Sequence, residues 1–323
     1  MTEPLIRVEN LTKHFHSGGG FLGGSASTVR AVDGISFEVL RGETLGLVGE
    51  SGSGKSTTGR LLLRLVEPTS GMAYYENQEL FGLSASEMKP LRRKMQIVFQ
   101  DPYGSLNPRM TVSNILREGL EPLGLSRTEE EAEITRLLEI VGLRSTHRNR
   151  YPHEFSGGQR QRIGIARALA VKPEFLIADE PVSALDVSIQ AQVLNLLLEL
   201  QQRLNLTMLF IAHDLAVVRH MSDRIAVMYL GKIVEIAESG QIYLNPRHPY
   251  TRSLLAAIPI PDPDAKPAET SADPGAQSVR SEGCVFRSRC SFATDKCAQE
   301  PALVEVEPGH LSACHFANTL PSL

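Results

Sequence analysis

Residues Gly49-Glu50-Ser51-Gly52-Ser53-Gly54-Lys55-Ser56-Thr57 follow the spacing G-x-x-x-x-G-K-[ST], between an apolar run and a segment of helical character. The glycines let the backbone fold so tightly that successive N–H groups and a helix N-terminus face an anion. Lys55 would reach the outer phosphates of a nucleotide and the Ser56 hydroxyl would ligate magnesium. A flexible glycine turn that merely contains a lysine would have similar composition; the flanking strand and helix argue against it.

A second constellation ends the apolar run Phe175-Leu176-Ile177-Ala178 with two adjacent carboxylates, Asp179 and Glu180. Ends of strands are where doubly wound sheets bind ligands. Asp179 would hold magnesium through water, and Glu180 would polarise a water for attack on a γ-phosphate. Without the phosphate loop, the same pair reads equally well as a solvated turn.

Several elements must position these groups. Short β-like runs at Ile6–Val8 and Ile35–Val39 flank a glycine-rich stretch, Ser17–Gly24, expected as a long loop. Glu43–Val48 reads as a buried strand running into Gly49, and Ser56 to about Leu65 as a helix closed by Glu67-Pro68. Ile134, Leu137, Leu138 and Val141 fall on one helical face, with Gly142 as a C-terminal cap. Phe175–Ala178 and Thr207–Ala212 read as parallel strands, joined by a helix with Val193, Leu196, Leu197, Leu200 and Leu204 as its apolar stripe. Strands alternating with helices predict an α/β core.

The 323 residues suggest roughly two domains at about 150 residues each. With 33 basic and 37 acidic residues the net charge is −4, which disfavours a nucleic-acid partner. Nowhere does an apolar stretch approach the 18 or more residues of a membrane span, and Met1-Thr2-Glu3-Pro4 lacks a secretory flank. A cytoplasmic chain is expected, any membrane role being borrowed from a partner. Beyond Ile258, prolines punctuate a linker over 259–282, and all four cysteines lie in the tail after it.

Phe155-Ser156-Gly157-Gly158-Gln159-Arg160-Gln161-Arg162, shortly before the Asp179-Glu180 strand, resembles the signature of ATP-binding cassette (ABC) ATPases, with Phe155 where leucine is commoner. Other landmarks follow in order: Gln100 is similar to the Q-loop glutamine, Ser183-Ala184-Leu185-Asp186 to the D-loop, and His213 to the switch histidine. Phe15 matches the aromatic that stacks on adenine. The resemblance implies a P-loop ABC domain over 4–258, with a RecA-like core, an antiparallel β subdomain and a helical subdomain inserted at about 101–165. It also implies an ATPase in which Glu180 and His213 act on the γ-phosphate and Ser56, Gln100 and Asp179 serve magnesium. Phe15, Gly49, Ser51, Gly52, Ser53, Gly54, Lys55, Ser56 and Thr57 would contact ATP.

A helix N-terminus behind Ser156, Gly157 and Gly158 is a second anion cradle, and one triphosphate does not need two. The resemblance therefore implies a head-to-tail dimer in which Ser156, Gly157, Gly158, Gln159 and Asp186 serve the partner's nucleotide. A lone histidine at the position of His213 would more often be a packed core residue; its place in the ordered set points it to phosphate.

Gly46–Gly52, Gln100-Asp101-Pro102, Tyr151–Gln159 and Asn245-Pro246-Arg247-His248-Pro249-Tyr250-Thr251 are similar to the ATPase subunits of oligopeptide and dipeptide permeases. The last stretch is distinctive because it lies outside the nucleotide site. Nickel and glutathione importers carry similar sequences, and a soluble non-transport ABC ATPase is a further alternative. The resemblance implies two transmembrane permeases, an extracytoplasmic solute-binding protein, a second ATPase subunit that is homologous or identical, and a peripheral place on the cytoplasmic face of the membrane.

Cys284, Cys290, Cys297 and Cys314 have no C-x-x-C spacing, and disulfides are a poor explanation in a reducing compartment. They resemble the four-cysteine extension of peptide-permease ATPases, over 283–318, where such cysteines can hold a 4Fe-4S cluster. Zinc on four sulfurs, or on three with His315, and unligated thiols remain alternatives at this point.

Overall fold

A computed structural model describes residues 3–17, 27–258 and 282–321. The glycine-rich stretch expected at Ser17–Gly24 and the linker expected at 259–282 fall almost wholly outside the described residues. The chain forms two compact units: Met1–Leu5, Val39–Glu43 and Gly82–Ile211 in the first, Ile6–Glu38, Thr44–Phe81 and Ala212–Leu323 in the second.

In chain order, β1 (Pro4–Ser17), β2 (Ser27–Leu40), β3 (Thr44–Val48), α1 (Lys55–Leu62), β4 (Ser70–Tyr75) and β5 (Gln78–Glu79) come first. Strands β2-β1-β4-β5 form one sheet, with β1 antiparallel to β4 from Ile6↔Tyr75 to Thr12↔Ser70. Both short β-like runs lie inside these longer strands, and Ile35, Phe37 and Val39 bury one face at the two-residue period of a strand. All five residues of β3 are buried, as a continuous apolar run demands of a strand covered on both faces. Helix α1 ends three residues earlier than expected. Arg64 turns left-handed at φ +49°, its N–H reaching Leu61 O and the Leu65 N–H reaching Arg60 O, a Schellman closure built without glycine.

Next come α2 (Ala85–Lys94), β6 (Met95–Val98), α3 (Val112–Leu120), α4 (Arg127–Ile140), α5 (Gly157–Leu169), β7 (Phe175–Asp179), α6 (Val187–Leu204) and β8 (Thr207–Ala212). Strands β6, β7 and β8 run parallel, with Val98↔Ala178 and Asp179↔Ile211 at the ends where the acids lie. Helices α3, α4 and α5 pack on one another as the inserted helical layer. Ile134, Leu137, Leu138 and Val141 are fully buried, and Gly142 takes φ +70° behind them. Of the α6 stripe, Val193, Leu196, Leu197 and Leu200 are buried, whereas Leu204 is 40% exposed where the helix ends at a left-handed Asn205.

The chain closes with α7 (Leu215–Met221), β9 (Arg224–Tyr229), β10 (Lys232–Glu238), α8 (Ser239–Leu244), α9 (Pro249–Ala256), β11 (Val304–Glu307) and β12 (His310–Ser312). Strand β9 is parallel to β3 and antiparallel to β10, across a tight turn in which Leu230 and Gly231 both take positive φ. The cysteine-bearing tail does not hang free: β12 pairs with β10 (Glu235↔Ser312) and β11 with β12. Val285 and Phe286 of the tail are buried. No helix among the described residues is long and apolar enough to cross a membrane.

Candidate active site

The phosphate loop belongs to the second unit, between β3 and α1. Gly54 caps α1 at φ +106°, and a Cβ there would stand 1.9 Å from the Ala31 carbonyl, so both conformation and space require glycine. Lys55 is buried; its Nζ donates to the Gly49 carbonyl at 2.7 Å and the Glu50 carbonyl at 3.0 Å, which curls the loop around the ammonium. Ser53 is buried, Ser56 and Thr57 are half-buried at the helix start, and Ser51 and Gly52 are exposed. Phe15 is 43% exposed, with the Lys13 ammonium 5.0 Å from its ring centre. His213, in the same unit, is exposed one residue beyond β8.

In the first unit, Asp179 is buried at the end of β7 and Glu180 follows in a left-handed conformation, φ +45°. The Glu180 N–H donates to Ile211 O at 3.0 Å, and Gln100 Nε2 donates to its carboxylate at 3.1 Å. Residues 80 apart in sequence are thus brought together. Ser156 caps α5: its hydroxyl accepts from the Gln159 N–H, and the Gln159 side chain accepts from the Ser156 N–H at 3.2 Å, a capping box at an exposed helix start. A Cβ on Gly158 would lie 2.3 Å from Ile189 Cγ2, so the start of α5 needs glycine to meet α6. Asp186 stands exposed at the N-cap of α6 and makes no side-chain cap bond. The segment around Gln100, residues 99–105, is strapped onto α5: Gln161 Nε2 donates to Phe99 O, the Arg160 guanidinium lies 4.0 Å from the Tyr103 ring centre, and Arg167 donates to Ser105 O.

Sequence reasoning missed three residues at the phosphate loop. Tyr250 lies in the stretch taken to be outside the nucleotide site, yet its hydroxyl accepts the Glu50 N–H at 2.9 Å. Arg289, from the tail, grips the Glu50 carboxylate with both Nη atoms at 2.9 Å, and these bonds raise the guanidinium pKa above its ordinary value. Tyr229 adds its hydroxyl at 3.4 Å from Arg289 Nη1. Only the distinctiveness of Asn245–Thr251, which nucleotide chemistry left unexplained, signalled any of this.

Cys284, Cys290, Cys297 and Cys314 form no disulfide and all border one small cavity of about 10 Å³, beside His248 and His315. Burial raises the thiol pKa of Cys284 and Cys290 and pushes that of Cys314 up to about 11. Among the described residues, no group of three or more His, Cys, Asp or Glu is placed to hold a metal ion.

The ABC transporter family profile matches residues 32–183, spanning the phosphate loop, Gln100, the signature and both acids. A dimeric ATP-binding cassette, MJ0796, solved with ADP and phosphate, shares the fold with TM-score 0.63 and 29% identity over 72% of this chain and 98% of that one. The class is therefore an ATP-hydrolysing ABC cassette of α/β P-loop type. The profile for the C-terminal region of oligopeptide/dipeptide transporters matches residues 234–297. A Brucella ovis protein named for ATP binding in peptide import is 55% identical over 319 residues, 97% of this chain and 98% of that one. The oligopeptide transport ATP-binding protein OppF of Bacillus subtilis is 52% identical over 97% of each chain. The chain belongs to the ATP-binding subunits of peptide-importing ABC transporters.

Proposed function

We propose that the protein binds and hydrolyses ATP to drive import of oligopeptides or dipeptides through membrane permeases. The observation that carries this reading is the seat of Glu180. A non-glycine residue in the left-handed region costs about 1–2 kcal/mol, and here it sits beyond a buried aspartate with its carboxylate held by Gln100.

Glu180 accepts the proton of the water that attacks the γ-phosphorus, and Gln100 orients that carboxylate. Lys55 and the loop N–H groups from Ser51 to Thr57 take the phosphate oxygens, Phe15 offers its face to adenine, and His213 donates to the γ-phosphate. Ser56, Gln100 and Asp179 would hold magnesium, which would supply positive charge against the phosphates. Ser156, Gly157, Gly158, Gln159 and Asp186 serve the nucleotide of a second subunit, identical or homologous; likeness to a dimeric cassette supports this. Two transmembrane permeases, supplied by an extracytoplasmic solute-binding protein, would seat the chain peripherally on the cytoplasmic face of the membrane.

The reading extends to a 4Fe-4S cluster on Cys284, Cys290, Cys297 and Cys314. Four thiols bordering one cavity are the all-sulfur donor set that such a cluster takes. Zinc on the same four sulfurs, or on three of them with His315, is the alternative occupant. A cluster, when bound, supplies a staple for a tail too short to build a strong core of its own.

Glu180→Gln tests the assignment. It is expected to retain ATP binding, to lose about 100-fold or more in turnover, and to fail to restore peptide uptake to cells lacking this chain. Unchanged turnover would remove Glu180 as the base; undiminished peptide uptake in the deletion strain would refute the transport reading.

A further inference from the structure

The Glu50 peptide is held from three sides within the second unit. Its N–H is taken by the Tyr250 hydroxyl at 2.9 Å, its carbonyl receives Lys55 Nζ at 3.0 Å and the Ser53 N–H at 3.1 Å, and its carboxylate is forked by Arg289. Two of these three holds come from beyond residue 249, far from the loop in sequence. Their platform is rigid: Tyr229, Tyr250 and Phe286 are all buried, with ring centres 4.5–5.4 Å apart, and the Arg289 guanidinium lies 5.7 Å from the centres of both Tyr229 and Phe286. Arg289 ends the short turn Arg287–Arg289, directly before Cys290.

We propose that Arg289 and Tyr250 are positioning residues for the phosphate loop, so that docking of the cysteine-bearing tail sets the affinity of the cassette for nucleotide. A loop with glycine at 49, 52 and 54 loses much conformational freedom when it forms a cradle. Fixing Glu50 beforehand removes part of that cost from the binding step, which is affinity gained by preorganisation. The coupling is reciprocal: whatever the tail adds to nucleotide binding, bound nucleotide adds to tail docking. The inference rests on ATP binding alone and is independent of the cargo.

The test is equilibrium binding of a fluorescent ADP analogue with magnesium to the full chain. Arg289→Ala is expected to weaken binding about tenfold, the order of one bidentate charge-assisted contact, and Arg289→Lys to recover part of it. In steady-state ATPase assays the same variant raises KM by a similar factor and leaves kcat within about twofold, a split that general destabilisation does not produce. Glu50→Ala approaches from the loop side, leaves the tail intact, and should reproduce the loss; combined with Arg289→Ala it should add almost nothing. Full affinity in Glu50→Ala, or additive losses in the double variant, would overturn the clamp. An unsubstituted chain that fails to bind nucleotide at all would instead refute the ATPase assignment.

Discussion

His310→Ala is the sharpest probe of how the tail is fastened. Glu235 of β10 is fully buried, and its carboxylate is met by three donors: the Arg247 N–H at 2.5 Å, the His248 N–H at 3.1 Å and His310 Nε2 at 2.7 Å. His310 is itself 2% exposed, at the start of β12. Removing the imidazole leaves a buried carboxylate short of one donor and opens a void beside it. Loss of one partner from a buried pair costs about 3–5 kcal/mol, and the two surviving backbone donors put this case at the lower end, about 3 kcal/mol. For a chain of 323 residues, with about 2.1 cal/mol/K of unfolding entropy per residue, that corresponds to a fall in Tm of about 4–5 °C. If the tail undocks by itself, the global melt moves less and the loss surfaces locally, as fast hydrogen exchange at residues 310–312. Adding Glu235→Gln removes the stranded charge and should restore part of the stability. A melt within about 1 °C of the unsubstituted protein, together with unchanged protection in β12, would show that His310 does not fasten the tail.

Three further outcomes follow from the same geometry. Gly54→Ala places a methyl against the Ala31 carbonyl in a left-handed backbone and should weaken nucleotide binding more than about tenfold, measured by titration; an unchanged Kd refutes the steric argument. His248 is buried, and burial lowers its pKa to about 3, while the unfolded chain titrates near 6.5. Between those values the unfolded state binds a proton that the folded state refuses. Stability therefore falls as pH drops below about 6.5, by up to about 1.4 kcal/mol per unit. His248→Asn keeps the cap accepted from the Tyr250 N–H and should flatten that slope in urea titrations at pH 7 to 5; an unaltered slope refutes the assignment. Purified without air, the chain should carry iron and sulfide with broad visible absorbance, lost together when any one of the four cysteines is replaced by serine. A colourless, iron-free protein sinks the cluster.

Sequence by itself determined the features whose causes are local. The phosphate loop was legible because its cradle is made of backbone groups within nine adjacent residues, and Gly54 and Lys55 must stand where the spacing puts them. Continuous apolar runs disclosed β7 and β8 because strands buried on both faces carry no polar residues to interrupt them. The buried face of α4 followed from its 3.6-residue period, and the serine that opens α5 carries its own Gln159 three residues on. The comparably buried runs at residues 225–229 of β9 and 233–237 of β10, the latter interrupted by Glu235, were not singled out.

Tertiary structure alone decided which distant groups meet. Gln100 finds Glu180 across 80 residues, Glu235 finds His310 across 75, and Glu50 finds Arg289 across 239. None of these pairs has a spacing rule, because side chains on separate elements are matched by packing and strand register and not by any period along the chain. The phosphate loop was written locally; what holds it in shape arrives from the far end of the chain.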